Sequence, residues 1–540
     1  MTAVLLALRL GRWGVVGFGL AALTSTFLQA FGFYQIAGHT PAERAAFGQS
    51  MTLLASQFVA IFPPPVQPNT VGGLVQFRAL NALAILFSVW ALASATGSSR
   101  GDEDRGVVES MLATGTPRMW LLASRVAGFA IVAVIASIGA GAGFLAGVAT
   151  GHETVGAAGV VEACALLAAL ALAAYGIALL VAQLSAARFA AAAAGVVLLT
   201  LFLDNSLSRT FSWLSTWRWL SPFRYYDLSQ PLPPAGYFDA RAFAVLLAIA
   251  AVTAALAALA FERRDLGSAL VRLPVRSAPP RYVASGNPVW RIPVIRGIYE
   301  RRASVLIWIA GMAVIAAVFV SLTKTIVQVL LTIPTLLPYL QIFVHQQIYP
   351  AVLGYTWFNV AQLLFAALAI THVARWSAED VDGRLEAVLS EPFSRAAVVV
   401  ERMTVLIVVA ALVAGVSGLV LFYASRSQGI ELNAGRLTAA SLMLVPFALV
   451  FAGAGALLAS WNPRAAVGVL GAFAFASYLD IELATIFKLP VWVQDLSAFK
   501  LFGTPLLTGV DAGSLTLMIC LALIGVGSSI LLMQRRDVGA

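Results

Sequence analysis

A chain of 540 residues that is 60% hydrophobic and 11% charged, with a mean hydropathy of +0.89, carries more apolar surface than one water-soluble core could bury. A soluble globular protein is therefore excluded. The net charge of +9 comes from 34 Lys and Arg against 25 Asp and Glu, but no RNP-like, helix-turn-helix or finger pattern accompanies the basic residues, so nucleic acid is not the implied partner.

A bilayer core of about 30 Å takes about 20 apolar residues per helix. Windows of that kind fall at 13–34, 73–97, 119–149, 157–183, 189–204 and 240–261, and again at 304–324, 351–375, 397–424, 437–460, 465–480 and 514–534. The runs are continuous rather than short and alternating, which points to an all-α polytopic protein of twelve spans and excludes a barrel. The start, MTAVLLALRLGRWG, lacks a small-residue cleavage site and reads as a retained first helix.

Between Pro41 and Pro68, apolar Phe47, Met51, Leu54, Phe58 and Ile61 recur at helical spacing before Pro63, Pro64 and Pro65, as in an amphipathic helix on the outer leaflet. Its counterpart is Ile326–Pro350, with Gln346 and Gln347. After the second span comes EDRGVVESMLATGTPR, Glu103 to Arg118. Gly106 breaks the incoming helix, and Val107, Val108, Met111 and Leu112 give the next short helix one apolar face. Asp204 ends the fifth window at a membrane edge, where a carboxylate can serve as a proton or cation site, although the DNS run reads first as the start of a following helix. In LSPFRYYDL, Phe223 and Arg224 read as an interfacial anchor with a snorkelling cation, or as a re-entrant outer gate.

Residues 263–302 are rich in Arg, Pro and Gly and too polar to span, so the expected division is a first half at 1–262, a linker at 263–302 and a second half at 303–540. The end of the linker, VWRIPVIRGIYERR, is amphipathic and precedes the seventh span as ALRLGRW precedes the first. The acidic stretch then returns as EDVDGRLEAVLSEPFSR, Glu379 to Arg395. At an offset of 277, Gly106 falls on Gly383, Glu109 on Glu386, Leu112 on Leu389, Arg118 on Arg395 and Arg125 on Arg402. LSAFKLFGT, with Phe499 and Lys500, repeats LSPFRYYDL at an offset of 276, as Asp480 repeats Asp204. The chain is thus two tandem six-helix halves.

The two acidic stretches hold Asp102, Glu103, Asp104 and Glu109, then Glu379, Asp380, Asp382, Glu386 and Glu391, nine of the 25 carboxylates. Each short helix is expected to lie along a membrane face, apolar side down and acidic side toward water or a partner. If both stretches are cytoplasmic, that side collects 23 of the 34 Lys and Arg, and the asymmetry places both termini in the cytoplasm. Cys164 and Cys520 fall inside spans, and His39, His152, His345 and His372 lack ligand spacing, so no disulfide, metal or catalytic site is expected.

These features resemble the type-2 ATP-binding-cassette exporter permeases, whose loop between the second and third spans carries an acidic, glycine-containing coupling helix. The fused length and the LSPFRYYD element are most similar to actinobacterial permeases of the polyketide-antibiotic or tetronasin multidrug-efflux type. The resemblance covers nearly the whole chain, although Pro392 stands where the first half has Gly115. It implies a plasma-membrane permease that couples to an ATPase through Glu103, Asp104, Gly106, Glu109, Asp380, Asp382, Gly383 and Glu386. No GxxxxGK[ST] loop occurs, so ATP and Mg would belong to another chain, present in two copies to match the two coupling helices.

Polar residues in spans tend to face a bundle interior, which nominates Thr24, Ser25, Thr26, Asn81, Tyr355, Asn359 and Gln362 for the pathway, with helix–helix hydrogen bonding as the equal alternative. With no charged cluster at mid-membrane, a small hydrophobic or amphipathic cargo is favoured. A proton-coupled twelve-span carrier would leave the acidic helices unexplained, and a lipid-linked glycosyltransferase would need a carboxylate or histidine cluster that is missing elsewhere.

Overall fold

A computed structural model describes residues 2–38, 40–56, 62–209, 211–270, 292–331, 348–390, 394–487 and 490–536. Twelve of its helices are long and apolar enough to cross a membrane, and no strand occurs among the described residues. The chain divides into two compact units, Met1–Pro280 and Arg281–Ala540.

In the first unit the spans are α1 (Thr2–Ile36), α3 (Val71–Asp104), α5 (Arg118–Ala149), α6 (Ala157–Leu184), α7 (Ala190–Leu207) and α8 (Ala240–Arg263), with a short α2 (Pro41–Ser56) and α4 (Val107–Ala113) between them. Helix α1 packs along α5, where a side chain at Gly143 would collide with the Leu23 carbonyl and the Thr26 hydroxyl. Thr26 Oγ1 donates across this contact to the Ala140 carbonyl at 2.7 Å, so it serves as helix–helix glue. Helix α6 lies at the centre, against α3, α5, α7 and α8. A reciprocal pair starts α2: Thr40 N–H donates to Glu43 and Glu43 N–H to the Thr40 hydroxyl, at 2.9 and 3.2 Å. Phe47 and Met51 of α2 pack onto the first unit's core, while Phe58 and Ile61 lie outside the described residues.

The second unit begins with α9 (Pro293–Glu300) and continues with spans α10 (Arg302–Leu331), α11 (Ile348–Val381), α13 (Arg395–Ser427), α14 (Ala434–Trp461), α15 (Pro463–Phe487) and α16 (Ala512–Arg535), α12 (Arg384–Leu389) standing between α11 and α13. Helix α14 is central here, packed on α11, α13, α15 and α16. The described parts of Ile326–Pro350 belong to α10 and α11, and Gln346 and Gln347 lie outside the described residues, as do Glu391 and Pro392.

Four expectations are corrected. The second spans run past their apolar windows, α3 to Asp104 and α11 to Val381, because ion pairs satisfy the polar residues at their ends. Only the second unit has a separate opening helix: α1 is continuous through ALRLGRW. Asp204 and Asp480 cap nothing; Asp204 sits in the last turn of α7, and Asp480 lies inside α15 with both carboxylate oxygens buried and unpartnered. Residues 263–270 are not loose linker, since Arg264, Gly267 and Ser268 are built into the first unit.

Candidate functional site

The acidic stretches form matched helix–turn–helix corners. Gly106 has φ 72° and Gly383 φ 73°, left-handed values that a side chain disfavours, so each glycine ends one helix and starts the next. The apolar faces turn inward as expected: Val108 and Leu385 are both buried. Helix α4 and helix α12 therefore each stand between the second and third spans of their own unit.

Arginines tie each corner to the rest of its unit. Arg118 Nη1, at the start of α5, donates to the carbonyls of Phe261, Glu262 and Arg264 at 3.3, 3.4 and 2.7 Å. Arg395 Nη1, at the start of α13, donates to those of Met533, Gln534 and Arg536 at 2.6, 3.3 and 2.6 Å. Both clamp the last turn of the sixth span, where exposed carbonyls and the helix dipole favour a cation. Two turns further on, Arg125 pairs with Asp102 at 2.6 Å and Arg402 with Glu379 at 2.9 Å.

The third element of the knot is a cation just beyond the sixth span. Arg264 grips Glu103 through two bonds of 2.7 and 2.5 Å, and Gly267 N–H donates to the same carboxylate at 2.5 Å. Arg536 holds Asp380 likewise, at 2.7 and 3.3 Å. The first unit adds Arg100, carried by a π-helical turn at Gly97–Gly101. Its guanidinium reaches Glu103 at 3.3 Å and caps the end of α6 through the carbonyls of Ala182 and Ser185 at 2.8 and 2.7 Å. Ser377 occupies the equivalent position in the second unit.

This geometry corrects part of the predicted coupling surface. Glu103 is 7% exposed and its carboxylate is occupied by arginines of its own unit; Asp380 is half-buried and also engaged. Asp104, Glu109, Asp382 and Glu386 are exposed. Sequence reasoning missed Arg264 and Arg536 because their partners are set by tertiary folding rather than by spacing, whereas the i,i+3 spacing of Arg100 and Glu103 was a signal that could have been read.

A cavity opens beside each knot. In the first unit it measures about 360 Å³ and is bounded by Trp90, Met111, Phe129, Tyr175 and the Asp102–Arg125 pair. Trp90, Phe129 and Tyr175 form an aromatic ladder along it, with ring centroids 5.2 and 4.2 Å apart. In the second unit the corresponding space measures about 230 Å³ and is lined by arginines and glutamates. None of Thr24, Ser25, Asn81, Tyr355, Asn359 and Gln362 lines either cavity. Asn81 and Gln362 are buried in their own units, Thr24, Ser25 and Asn359 are half-buried, and Tyr355, expected to face the interior, is 70% exposed.

The anchor reading of the two LS motifs is also corrected. Ser221 and Ser497 each accept a hydrogen bond from the N–H two residues on, at 3.3 Å, turning Phe223 and Phe499 inward. Phe223 packs edge-on to Phe202 at 5.3 Å, and Phe499 sits among Phe447, Phe451 and Tyr478 at 5.2 to 5.8 Å. Arg224 lies 4.9 Å over Trp219, and burial, then neighbouring Arg218, push its pKa below the ordinary value. Lys500 pairs with Asp495 at 2.7 Å. Asp227, held by Arg209 and Asn205, has its pKa raised by burial against the pull of Arg209.

The family model described as "Multidrug efflux system permease Rv1217c, C-terminal domain" matches residues 69–262 and 298–532. No curated protein matches the chain.

Proposed function

The chain belongs to this family of multidrug efflux system permeases, and from that premise we propose that it is the transmembrane subunit of an ATP-binding-cassette exporter, driven by a separate ATPase that docks on α4 and α12. The observation that carries the reading is the pair of glycine-broken corners, each fastened by arginines to the ends of its second, third and sixth spans and each presenting exposed acids that form no ion pair among the described residues. A push on α4 passes through Asp102–Arg125 to α5 and through Glu103–Arg264 to α8. The second unit offers the same route through Glu379–Arg402 and Asp380–Arg536. Two such levers fit two ATPase subunits, which would carry ATP and Mg. Basic grooves on them would meet Asp104, Glu109, Asp382 and Glu386.

In this reading the protein is a multi-pass plasma-membrane permease with both termini in the cytoplasm. The cargo is a hydrophobic or amphipathic compound, such as a drug, polyketide or lipid. The first-unit cavity, largely apolar, aromatic and bounded on one side by Asp102 with its two arginine partners, Arg105 and Arg125, is of the size that small-molecule sites use and is the place we assign to cargo entry. Phe223 and Phe499 are then packing residues of their own units rather than gates, with Arg224 and Lys500 held beside them by Trp219 and Asp495.

Affinity purification from the native membrane tests the proposal. A stoichiometric ATPase partner, together with ATP-dependent drug uptake into inverted vesicles, is expected. Drug transport driven by a pH gradient in vesicles free of ATP would contradict it.

A further inference from the structure

The second-unit cavity carries more charge than the Glu379–Arg402 pair that the proposed coupling route uses. At the repeat offset, Arg375, Arg384 and Glu401 line it where Ser98, Val107 and Ser124 line the first-unit cavity, so three uncharged positions have become charged. Arg296 and Arg301 add two more cations from the segment before α10. Against these five arginines with Arg402 counted stand three glutamates, Glu300, Glu379 and Glu401, leaving an excess of two positive charges.

The internal pairs do not use up the arginines. Arg375 and Arg402 share Glu379 at 3.2 and 2.9 Å, and Arg296 is 3.9 Å from Glu300. Among the described residues, Arg301 and Arg384 form no ion pair. Two nitrogens of the Arg301 guanidinium, Nε and Nη1, are closed off from solvent with no hydrogen-bond partner. A buried donor left unpaired is costly, and a guanidinium is built to pair with a planar or tetrahedral oxyanion through two bonds at once. Burial, and then the charge of Arg375, also hold the pKa of Arg301 below its ordinary value, with Glu379 opposing. An oxyanion in the cavity would relieve both.

The location narrows the ligand. Helix α9 packs its apolar Val294 and Ile298 against the second unit's core just ahead of the span α10, while Arg296 and Glu300 are exposed. The cavity thus lies where apolar spans meet water, at headgroup depth. We propose that it is a binding site for a phosphate-bearing anion, the chemistry shared by the headgroup of an anionic phospholipid and by free phosphate. The first-unit cavity, with Ser98, Val107 and Ser124 in place of the charges, does not bind one.

The test uses the full chain without any ATPase, so its outcome is independent of the coupling proposal. The protein is placed in phosphatidylcholine nanodiscs, and melting is followed as phosphatidylglycerol replaces the neutral lipid, or as inorganic phosphate replaces chloride at fixed ionic strength. Retained lipid is read by native mass spectrometry. Phosphatidylglycerol is expected to raise the wild-type midpoint. Arg384→Ala, an exposed change that leaves the fold intact, is expected to weaken the apparent affinity about tenfold, the loss of one charge-assisted contact, and Arg301→Gln to weaken it at least as much. Arg105 lines the first-unit cavity, exposed and paired with Asp102 at 2.6 Å, and Arg105→Ala is expected to titrate like wild type. A midpoint raised by inorganic phosphate and not by the lipid would identify free phosphate as the ligand of the same site. No shift with either, or equal losses in Arg384→Ala and Arg105→Ala, would overturn the proposal.

Discussion

The two arginine–carboxylate knots share a plan and differ in water. In the first unit Arg100, Glu103 and Arg264 have side chains at most 4% exposed, and one carboxylate is ringed by two guanidiniums and a backbone N–H. In the second, Asp380, the counterpart of Glu103, and its partner Arg536 are 10% and 28% exposed, and Ser377 stands where Arg100 pairs with Glu103, while Arg375 joins Arg402 on the 27% exposed Glu379 instead. One duplication has therefore produced a dry joint and a wet one around the same lever. The difference teaches that an acidic stretch has two jobs that the sequence writes in one alphabet: Asp102, Glu103, Glu379 and Asp380 fasten the corners, while Asp104, Glu109, Asp382 and Glu386 stay exposed.

The sharpest way to break the comparison is to remove the central carboxylates one at a time. Glu103→Gln leaves Arg264 and Arg100 buried without a counter-charge, so a loss of about 3–5 kcal/mol is expected. Asp380→Asn leaves a partly hydrated Arg536 and is expected to cost about 1 kcal/mol. Thermal unfolding of the purified chain compares the two directly. Equal losses would mean that the knots are energetically alike despite their exposure.

Next in size are the clamps, which the comparison predicts to be equivalent. Arg118→Ala and Arg395→Ala each strip three charge-assisted bonds from the last turn of a sixth span, and each is expected to cost about 1.5–3 kcal/mol. A large inequality here would place the asymmetry in the whole unit rather than in the knot. Smaller still are Gly106→Ala and Gly383→Ala, where a side chain in the left-handed region costs about 1–2 kcal/mol. Nothing crowds either glycine within 4 Å, so conformation alone sets the effect and the two should match.

Much of this architecture was legible in the sequence. The twelve spans followed from continuous apolar runs, and the repeat exposed both glycine breaks and the paired Arg118/Arg395 and Arg125/Arg402. The partners of Glu103 and Asp380 were hidden for a physical reason: Arg264 and Arg536 sit just past the sixth spans, on a register five residues off the repeat, so no alignment joins them. Phe223 and Phe499 were misplaced because the serine two residues earlier turns the chain back into the bundle, a turn that aromatic–cation patterning does not encode. The contrast between the aromatic and the arginine-lined cavity was visible only as scattered substitutions, Ser98 against Arg375 and Val107 against Arg384, until folding brought them onto one wall.

The central claim is that the exposed acids of the two corners, Glu109 and Glu386 foremost, hold an ATPase while the arginine-bound acids hold the fold. The most direct measurement is the double variant Glu109→Gln, Glu386→Gln, assayed both alone and in the reconstituted complex. Both residues are exposed and lie in the first turn of α4 and α12, so the isolated permease is expected to stay within about 0.5 kcal/mol of wild type. Substrate-stimulated ATP hydrolysis in the complex is expected to be abolished. A double variant with wild-type coupling and wild-type affinity for the ATPase would contradict the account.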